Sequence, residues 1–148
     1  MTCPLVSVLL PARDAAATIG SALRSVQRQT LRDWECIVAD DGSRDGTAAI
    51  VDDVARRDRR VRRLPLAREG LVQALNAGLL ECRSAFVVRM DADDLMHRGR
   101  IDAQVEALRR DASLDAVGCH VRLFPRAALA PFRRDYEAWL NGVRTPDD

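Results

Sequence analysis

The feature that most constrains the fold is a regular alternation between short apolar runs and longer amphipathic segments. The runs have the length, composition and flanking turn residues of buried strands, and they span residues 5–10, 34–39, 61–66, 85–90 and 116–121. Pro11 is expected to end the first run. Between the runs, apolar residues recur at helical spacing over residues 16–28, 47–57, 70–82 and 101–110. This order predicts an α/β fold, a mostly parallel sheet with helices on both faces.

The composition excludes several kinds of chemistry. All 23 residues in the Lys+Arg count are Arg, so a phosphate-loop lysine and a Schiff-base lysine are both excluded. The four cysteines are far apart in the sequence, which argues against a zinc site or a disulfide framework and favours a reducing cytoplasm. A net charge of +1 gives no reason to expect a nucleic-acid partner. No apolar stretch approaches the ~20 residues of a membrane span.

Acidic residues follow two of the predicted strands. Asp40 and Asp41 follow the second strand, and Asp91, Asp93 and Asp94 follow the fourth. Right-handed crossovers put both groups at the same edge of a parallel sheet, where ligands bind. Crowded carboxylates need a cation or hydrogen-bond donors. One group therefore suits Mg²⁺ or Mn²⁺ carrying a diphosphate, and the other suits N–H or hydroxyl donors of a nucleoside. No Gly-rich phosphate cradle is present.

Five sequence blocks give the chain a resemblance to a known family. In chain order they are SVLLPARDAAATI, LRSVQRQT, ECIVADDGSRDGT, GLVQALNAGL and VRMDADDLMHRGRIDAQVEAL. Together they resemble the family 2 glycosyltransferases, which have a Rossmann-like GT-A fold. The resemblance implies an inverting hexosyltransferase that uses a nucleotide-diphosphate sugar, most commonly a UDP-sugar. It also implies a part in cell-envelope or polysaccharide synthesis.

The resemblance assigns donor-binding roles to particular residues. Asp41 is expected to bind the nucleobase, and Pro11 and Ala12 line the same pocket through their backbone. Asp14 is placed with these donor-binding residues. The first loop nevertheless departs from the family, because Arg13-Asp14-Ala-Ala stands where an aromatic residue, Asn and Glu often follow Pro-Ala.

The acidic group that follows the fourth predicted strand corresponds to the metal motif of the family. Asp93 is expected to hold Mg²⁺ or Mn²⁺ on the diphosphate, and Asp91 to lie near the ribose or the metal. Asp94 is given a supporting role. Asp45 and Thr47 are interpreted as helix-start residues.

A general base cannot be identified from the sequence. The family usually carries it in a later acidic motif, whereas the acidic residues after Asp115 stand in no recognisable motif; they are Asp135, Glu137, Asp147 and Asp148. Residues 1–123 are therefore expected to form the nucleotide-sugar-binding core. Residues 124–148 are expected to begin an acceptor-side segment that stops early.

Two other functions stay open at this point. One is a non-catalytic nucleotide-sugar-binding or partner-interaction fragment without the acceptor half. The other is a receiver-type signalling domain, which the absence of Lys argues against. For the enzyme, the acceptor could be a glycan, a lipid-linked sugar or a protein, and the expected location is the cytoplasm, including the inner face of the membrane.

Overall fold

The computed structural model describes residues 3–143. Its strands are β1 (Val6–Ala12), β2 (Trp34–Asp40), β3 (Val61–Pro65) and β4 (Phe86–Arg89). Its α-helices are α1 (Ile19–Gln27), α2 (Thr47–Arg57), α3 (Leu71–Leu80), α4 (Arg100–Arg110) and α5 (Pro131–Gly142). A single-turn 3₁₀ helix, Arg126–Ala128, precedes α5.

The chain divides into two compact units, Met1–Val105 and Glu106–Asp148. The first unit holds the whole sheet, helices α1 to α3 and the start of α4. The second unit holds the end of α4, the 3₁₀ helix and α5. In the second unit, the Asn141 side chain exchanges two hydrogen bonds with the backbone of Val121. Across residues 3–143, no helix is long and apolar enough to cross a membrane.

The sheet is parallel throughout, with strand order β3-β2-β1-β4. The chain moves outward from β1 to β3 and then returns to β4 on the other side of β1. Because parallel crossovers are right-handed, the two outward crossovers and the return crossover place their helices on opposite faces. This confirms the predicted α/β sheet with helices on both faces. The strand order reverses at β1.

The main core fills one face of the sheet. There, the apolar stripes of α1, α2 and α4 pack against the alternate side chains of the central strands. The members buried to within 2% exposure include Val6, Val8, Leu10, Ile19, Leu23, Val26, Trp34, Val38, Val51 and Ile101. Since β1 is also covered on its other face, all seven of its residues are buried. This double burial explains why β1 is a nearly continuous apolar run, interrupted by Ser7.

Helix α3 covers the opposite face with a much smaller core. Leu9, Ala39 and Ala74 are its buried members. The helix approaches the sheet so closely that a Cβ on Gly78 would lie 2.3 Å from Leu9 Cδ1. A glycine at this position therefore allows α3 to pack closely against β1 and β2.

The prediction that Pro11 ends β1 is wrong, because the strand continues to Ala12 and pairs Pro11 with Ala39. Leu9 accepts a hydrogen bond from Met90, so odd-numbered residues of β1 direct their backbone groups toward β4. The β1–β4 pairing ends at the pair Leu9–Arg89, before the chain reaches Pro11. Proline is tolerated here because the N–H that it lacks would point past the end of β4.

The predicted fifth strand, residues 116–121, is also wrong: the structure has no strand between residues 111 and 125. Only Val117 and Val121 in this run are half-buried, and the other four residues are exposed. A strand is stable only when it pairs with a neighbour and buries one face. Helix α5 was not predicted, although Pro131 at its start is a helix-start signal.

Candidate functional site

A cavity of about 510 Å³ opens at the carboxyl ends of the central strands, within the first unit. That volume is within the range of small-molecule sites. The cavity lies where the strand order reverses, the usual ligand position in open α/β sheets. Six of the sequence-predicted site residues line it, namely Pro11, Ala12, Asp14, Asp41, Asp91 and Asp93, whereas Asp94, which was given a supporting role, is not among its lining residues. Leu71 and Ala74 of α3 supply an apolar wall.

The first acidic loop, residues 40–46, is held by its own carboxylates. Asp41 Oδ1 accepts hydrogen bonds from the backbone N–H groups of Glu69 at 2.8 Å and Gly70 at 3.2 Å. Arg13 Nη1 lies 3.2 Å from Asp41 Oδ2. Burial alone would raise the Asp41 pKa, but the two backbone donors and Arg13 outweigh it and lower the pKa. Asp41 is therefore a preorganised, ionised acceptor at one end of the cavity.

Asp40 serves the structure of the same loop. It is buried, and its Oδ1 accepts a hydrogen bond from the backbone of Ser43 at 3.1 Å. Its Oδ2 lies 3.4 Å from Arg63 Nη1. One oxygen of Asp40 thus holds the loop backbone, and the other joins the loop to β3.

The loop after β1 is clamped to the first acidic loop by backbone donors. The N–H of Asp14 donates to Ser43 Oγ at 3.0 Å, and the N–H of Ala15 donates to Thr47 Oγ1 at 2.7 Å. Asp45 accepts hydrogen bonds from the backbone of Ala16 and of Thr47, both at 2.9 Å. The last bond confirms Asp45 and Thr47 as helix-start residues.

Asp14 connects three loops through its carboxylate. Its Oδ1 accepts from the backbone N–H of Arg44 at 2.7 Å, and its Oδ2 pairs with Arg68 at 2.8 Å. The Arg44 hydrogen bond, followed by the Arg68 contact, lowers the Asp14 pKa. The residue adopts a left-handed conformation with φ of 50°, which Asp tolerates better than most residues. The carboxylate is thus engaged by the protein, and the shape of the loop depends on it.

The second acidic loop, residues 91–95, has a different environment. Asp91 is half-buried and pairs with Arg89. Asp93 and Asp94 are exposed, and no ion pair joins either of them to another residue in the 3–143 range. Partial desolvation of the Asp94 carboxyl, and then the charges of Asp91 and Asp93, raise the Asp94 pKa. Within residues 3–143, Asp93 thus presents to the cavity a carboxylate that has no ion-pair partner.

A buried glutamine that the sequence reasoning missed anchors the chain just beyond the second acidic loop. Gln29 is fully buried, and its Nε2 donates to the His97 carbonyl at 2.9 Å. Its Oε1 accepts from the N–H of Ile101 at 3.2 Å. Ser25 Oγ accepts from the N–H of Met96 at 2.9 Å. A polar residue near the end of an apolar helical stripe was the only available signal.

Comparison with known proteins identifies the family. The family model described as Glycosyl transferase family 2 matches residues 7–142. The chain belongs to this family. Its relatives include the uncharacterized glycosyltransferase EpsJ of Bacillus subtilis, 34% identical over 78% of this chain and 33% of EpsJ. A chondroitin synthase of Escherichia coli is 31% identical over 77% of this chain and 17% of the synthase.

A solved relative extends the comparison to the fold. The mannosyltransferase PcManGT of Pyrobaculum calidifontis, solved with GDP-Man and Mn²⁺, matches with a TM-score of 0.72 and 29% identity. The match covers 82% of this chain and 37% of PcManGT. The chain thus spans about a third or less of the length of these relatives. The names of the family and of its members support a transferase and leave the receiver-type alternative without support.

Asp91 and Asp93 have the chemistry to bind a cation whose other ligands come from a bound phosphate group and water. Among residues 3–143, no group of three or more His, Cys, Asp or Glu side chains forms a metal cage. Mg²⁺ and similar cations commonly take one or two carboxylates and complete their coordination with phosphates and water. Asp91 and Asp93 line the cavity and can supply two carboxylates. The residues therefore fit a metal that arrives with a diphosphate.

Of the acidic residues considered for the general base, Glu137 is engaged within the second unit. Its Oε2 accepts from the backbone N–H of Leu123 at 2.6 Å, and its Oε1 pairs with Arg126 at 2.6 Å. These two contacts, in that order, lower the Glu137 pKa. Asp135 is exposed on α5, and Asp147 and Asp148 lie outside the described residues. Glu137 thus stabilises the segment that precedes α5.

Proposed function

We propose that this family 2 domain binds a nucleoside-diphosphate sugar in its cavity and presents it for transfer, with inversion, to an acceptor hydroxyl. The observation that carries the proposal is the single cavity lined by both acidic loops, one buried and hydrogen-bonded and the other exposed and negative. The 29% identical PcManGT, solved with GDP-Man and Mn²⁺, supports the same ligand class. A UDP-sugar is the first candidate donor and a GDP-sugar the second.

In this proposal each loop recognises one part of the donor. The buried Asp41 carboxylate accepts a hydrogen bond from the base, because an ionised Asp can only accept. Pro11 and Ala12 border the nucleoside. Asp93 and Asp91 would hold Mg²⁺ or Mn²⁺ that arrives with the diphosphate. The bound cation would supply Lewis-acid stabilisation of the charge on the departing diphosphate.

Asp14 takes a different part from the one that the resemblance gave it. Both of its carboxylate oxygens have short protein contacts, at 2.7 Å to the Arg44 N–H and 2.8 Å to Arg68, whereas the side-chain contact of Asp41 with Arg13 is longer, at 3.2 Å. We therefore assign it to shaping the loop that borders the nucleoside. Direct contact with the ligand falls to Asp41 and to the backbone of Pro11 and Ala12.

Transfer also requires a general base, a protein side chain that takes the proton of the acceptor hydroxyl. The carboxylates that line the cavity are assigned to the nucleotide, the cation and the shape of the loop. The general base is therefore expected outside the cavity. The acceptor stays a prediction: a glycan, a lipid-linked sugar or a protein. A cytoplasmic location, including the inner face of the membrane, also stays a prediction.

The test is calorimetric titration of UDP and of GDP into the protein, with Mn²⁺ and with EDTA. The Asp93→Asn variant should weaken Mn²⁺-dependent binding at least about tenfold, the usual scale for losing a charge-assisted contact. Asp33→Asn removes an equally exposed carboxylate that does not line the cavity, and should leave binding unchanged. A folded wild-type protein that binds neither nucleotide with Mn²⁺ contradicts the proposal.

A non-catalytic donor-binding module is the second candidate. The cavity favours it, because each carboxylate that lines the cavity has a proposed role in binding the sugar donor and none is left to act as the general base. The two candidates differ in turnover: an enzyme releases free nucleoside diphosphate from the sugar donor when acceptors are added, whereas a binding module retains the donor intact. A coupled assay for released UDP or GDP separates them.

A further inference from the structure

The contact between Arg13 and Asp41 lies at the end of the cavity that the proposed function assigns to the base. Asp41 is almost completely buried, and two of the three partners that it has among residues 3–143 are backbone N–H groups fixed at the start of α3. Only the third partner, Arg13, is a side chain, and it is half exposed. Of these three described partners, Arg13 is thus the one that can move without unfolding a loop.

The backbone that carries Arg13 is fixed although its guanidinium is not. The next three residues donate backbone hydrogen bonds to Ser43, Thr47 and Asp45 at 2.7–3.0 Å. The 3.2 Å contact from Arg13 Nη1 to Asp41 Oδ2 is long for a charge-assisted hydrogen bond. The guanidinium therefore starts from a defined position and is weakly held at its tip.

We propose that Arg13 is a base-specificity residue that reads the nucleobase together with Asp41. In the complex, Asp41 Oδ2 accepts a hydrogen bond from a ring N–H of the base, and Arg13 donates to the neighbouring ring carbonyl. The two side chains thus form an acceptor–donor pair. This inference rests on the proposed function, because it places a nucleotide base at this end of the cavity.

The pair favours one chemical class of base. Uracil and guanine each have a ring N–H beside a carbonyl oxygen. Cytosine and adenine carry a lone pair on the corresponding ring nitrogen, which would face the ionised carboxylate of Asp41. A site that leaves a buried polar group unpaired rejects the wrong ligand strongly. UDP and GDP should therefore bind more tightly than CDP and ADP.

Leu71 and Ala74 suit the face of such a base. Both line the cavity beside Asp41, and Leu71 is half exposed. The apolar wall can contact the flat ring while the polar pair contacts its edge, and polar groups placed on an apolar wall are the usual source of specificity in small-molecule sites. The wall contributes affinity for any base, and Arg13 contributes discrimination.

The test measures the dissociation constants of UDP, GDP, CDP and ADP with Mn²⁺ for the wild-type protein, Arg13→Ala and Arg13→Lys. Arg13→Ala should weaken UDP and GDP binding about tenfold, the scale of one charge-assisted hydrogen bond. Arg13→Lys should recover part of the loss. Arg59→Ala removes an exposed arginine just before β3, at the opposite edge of the sheet, and is the matched control.

Ribose 5-diphosphate, which has no base, separates base reading from a general effect on the loop. It should bind equally to the wild-type protein and to Arg13→Ala. Equal weakening of ribose 5-diphosphate and UDP would overturn the proposal in favour of a loop-positioning role. Unchanged or tighter UDP binding by Arg13→Ala would overturn it in favour of a counter-ion that only competes with the base.

Failure of the proposed function looks different from failure of this inference. If the wild-type protein binds no nucleoside diphosphate with Mn²⁺, both are overturned. If the wild-type protein binds UDP or GDP with Mn²⁺ and Arg13→Ala binds equally well, the donor site stands and only the role of Arg13 is lost.

Discussion

The two acidic loops of the cavity are built in opposite ways. In the first acidic loop the carboxylates are themselves the structural elements, since Asp40 and Asp41 are buried and bound by protein donors. In the second acidic loop, Asp93 and Asp94 are exposed, and anchoring comes from the neutral side chain of Gln29 behind it.

This difference separates two roles that carboxylates can have at a ligand site. A carboxylate that already accepts several hydrogen bonds keeps one geometry and suits recognition of a fixed ligand edge. Carboxylates without strong partners retain their charge for a ligand, and something else must fix their backbone. The same residue type thus contributes to stability in one loop and is available to a ligand in the other.

The largest expected effect tests whether Gln29 supports the second acidic loop. Gln29→Leu keeps the volume but leaves the His97 carbonyl and the Ile101 N–H without their buried partner. Urea unfolding should show a loss of about 2–3 kcal/mol. Gln73→Leu, an exposed change on α3, should stay within about 0.5 kcal/mol. Equal effects of the two changes would contradict the anchoring role.

Gly70 tests the support of the first acidic loop. It has φ of 101°, a conformation strained for any residue with a Cβ, and its N–H donates to Asp41. Gly70→Ala should cost about 1–2 kcal/mol in free energy of unfolding. Gly20→Ala, inside α1, should instead be neutral or stabilising, as Gly-to-Ala changes in helices usually are. Tolerance of Gly70→Ala would show that the Asp41 cradle is not rigid.

Replacing one carboxylate in each loop compares them directly. Asp41→Asn turns one acceptor oxygen into an amide donor that faces existing donors, so the melting temperature of the ligand-free protein should fall by several degrees. Asp93→Asn removes an exposed charge and should leave the melting temperature nearly unchanged. Differential scanning calorimetry without nucleotide or metal measures both. Similar shifts for the two variants would remove the distinction between the loops.

The smallest expected effect is the opposite pH dependence of the two loops. The Asp41 pKa is lowered, so its contribution to stability is present above the unfolded value of 3.8 and is lost as pH falls through the folded pKa. The Asp94 pKa is raised, so its ionised form destabilises the protein above the folded pKa and not below 3.8. Asp94→Asn should therefore raise the melting temperature slightly at pH 7.

The corresponding control is the same comparison at pH 3.5. There the gain from Asp94→Asn should disappear, because wild-type Asp94 is largely protonated in the folded protein. A gain that is the same at both values of pH would show that the variant acts through packing and not through charge.

Much of the fold could be predicted because it depends on local patterns. The apolar stripe of α2 predicts residues 47–57, and the helix spans Thr47–Arg57. The prediction for residues 116–121 failed because a strand also needs a partner, which the pattern cannot report. Pro11 was interpreted by its local effect, whereas its tolerance in β1 depends on where β4 ends.

The sequence by itself determined the order of the elements from β1 to α4, the parallel sheet and the edge at which the acidic residues lie. Hydrophobic periodicity and the handedness of crossovers are enough to predict these features, because both depend on residues that are close together in the sequence. The tertiary structure decided which carboxylates are bound and which are free, how Gln29 reaches a loop 68 residues away, and that Arg13 contacts Asp41. These contacts join residues brought together only by the packing of the strands and helices, so no local pattern encodes them.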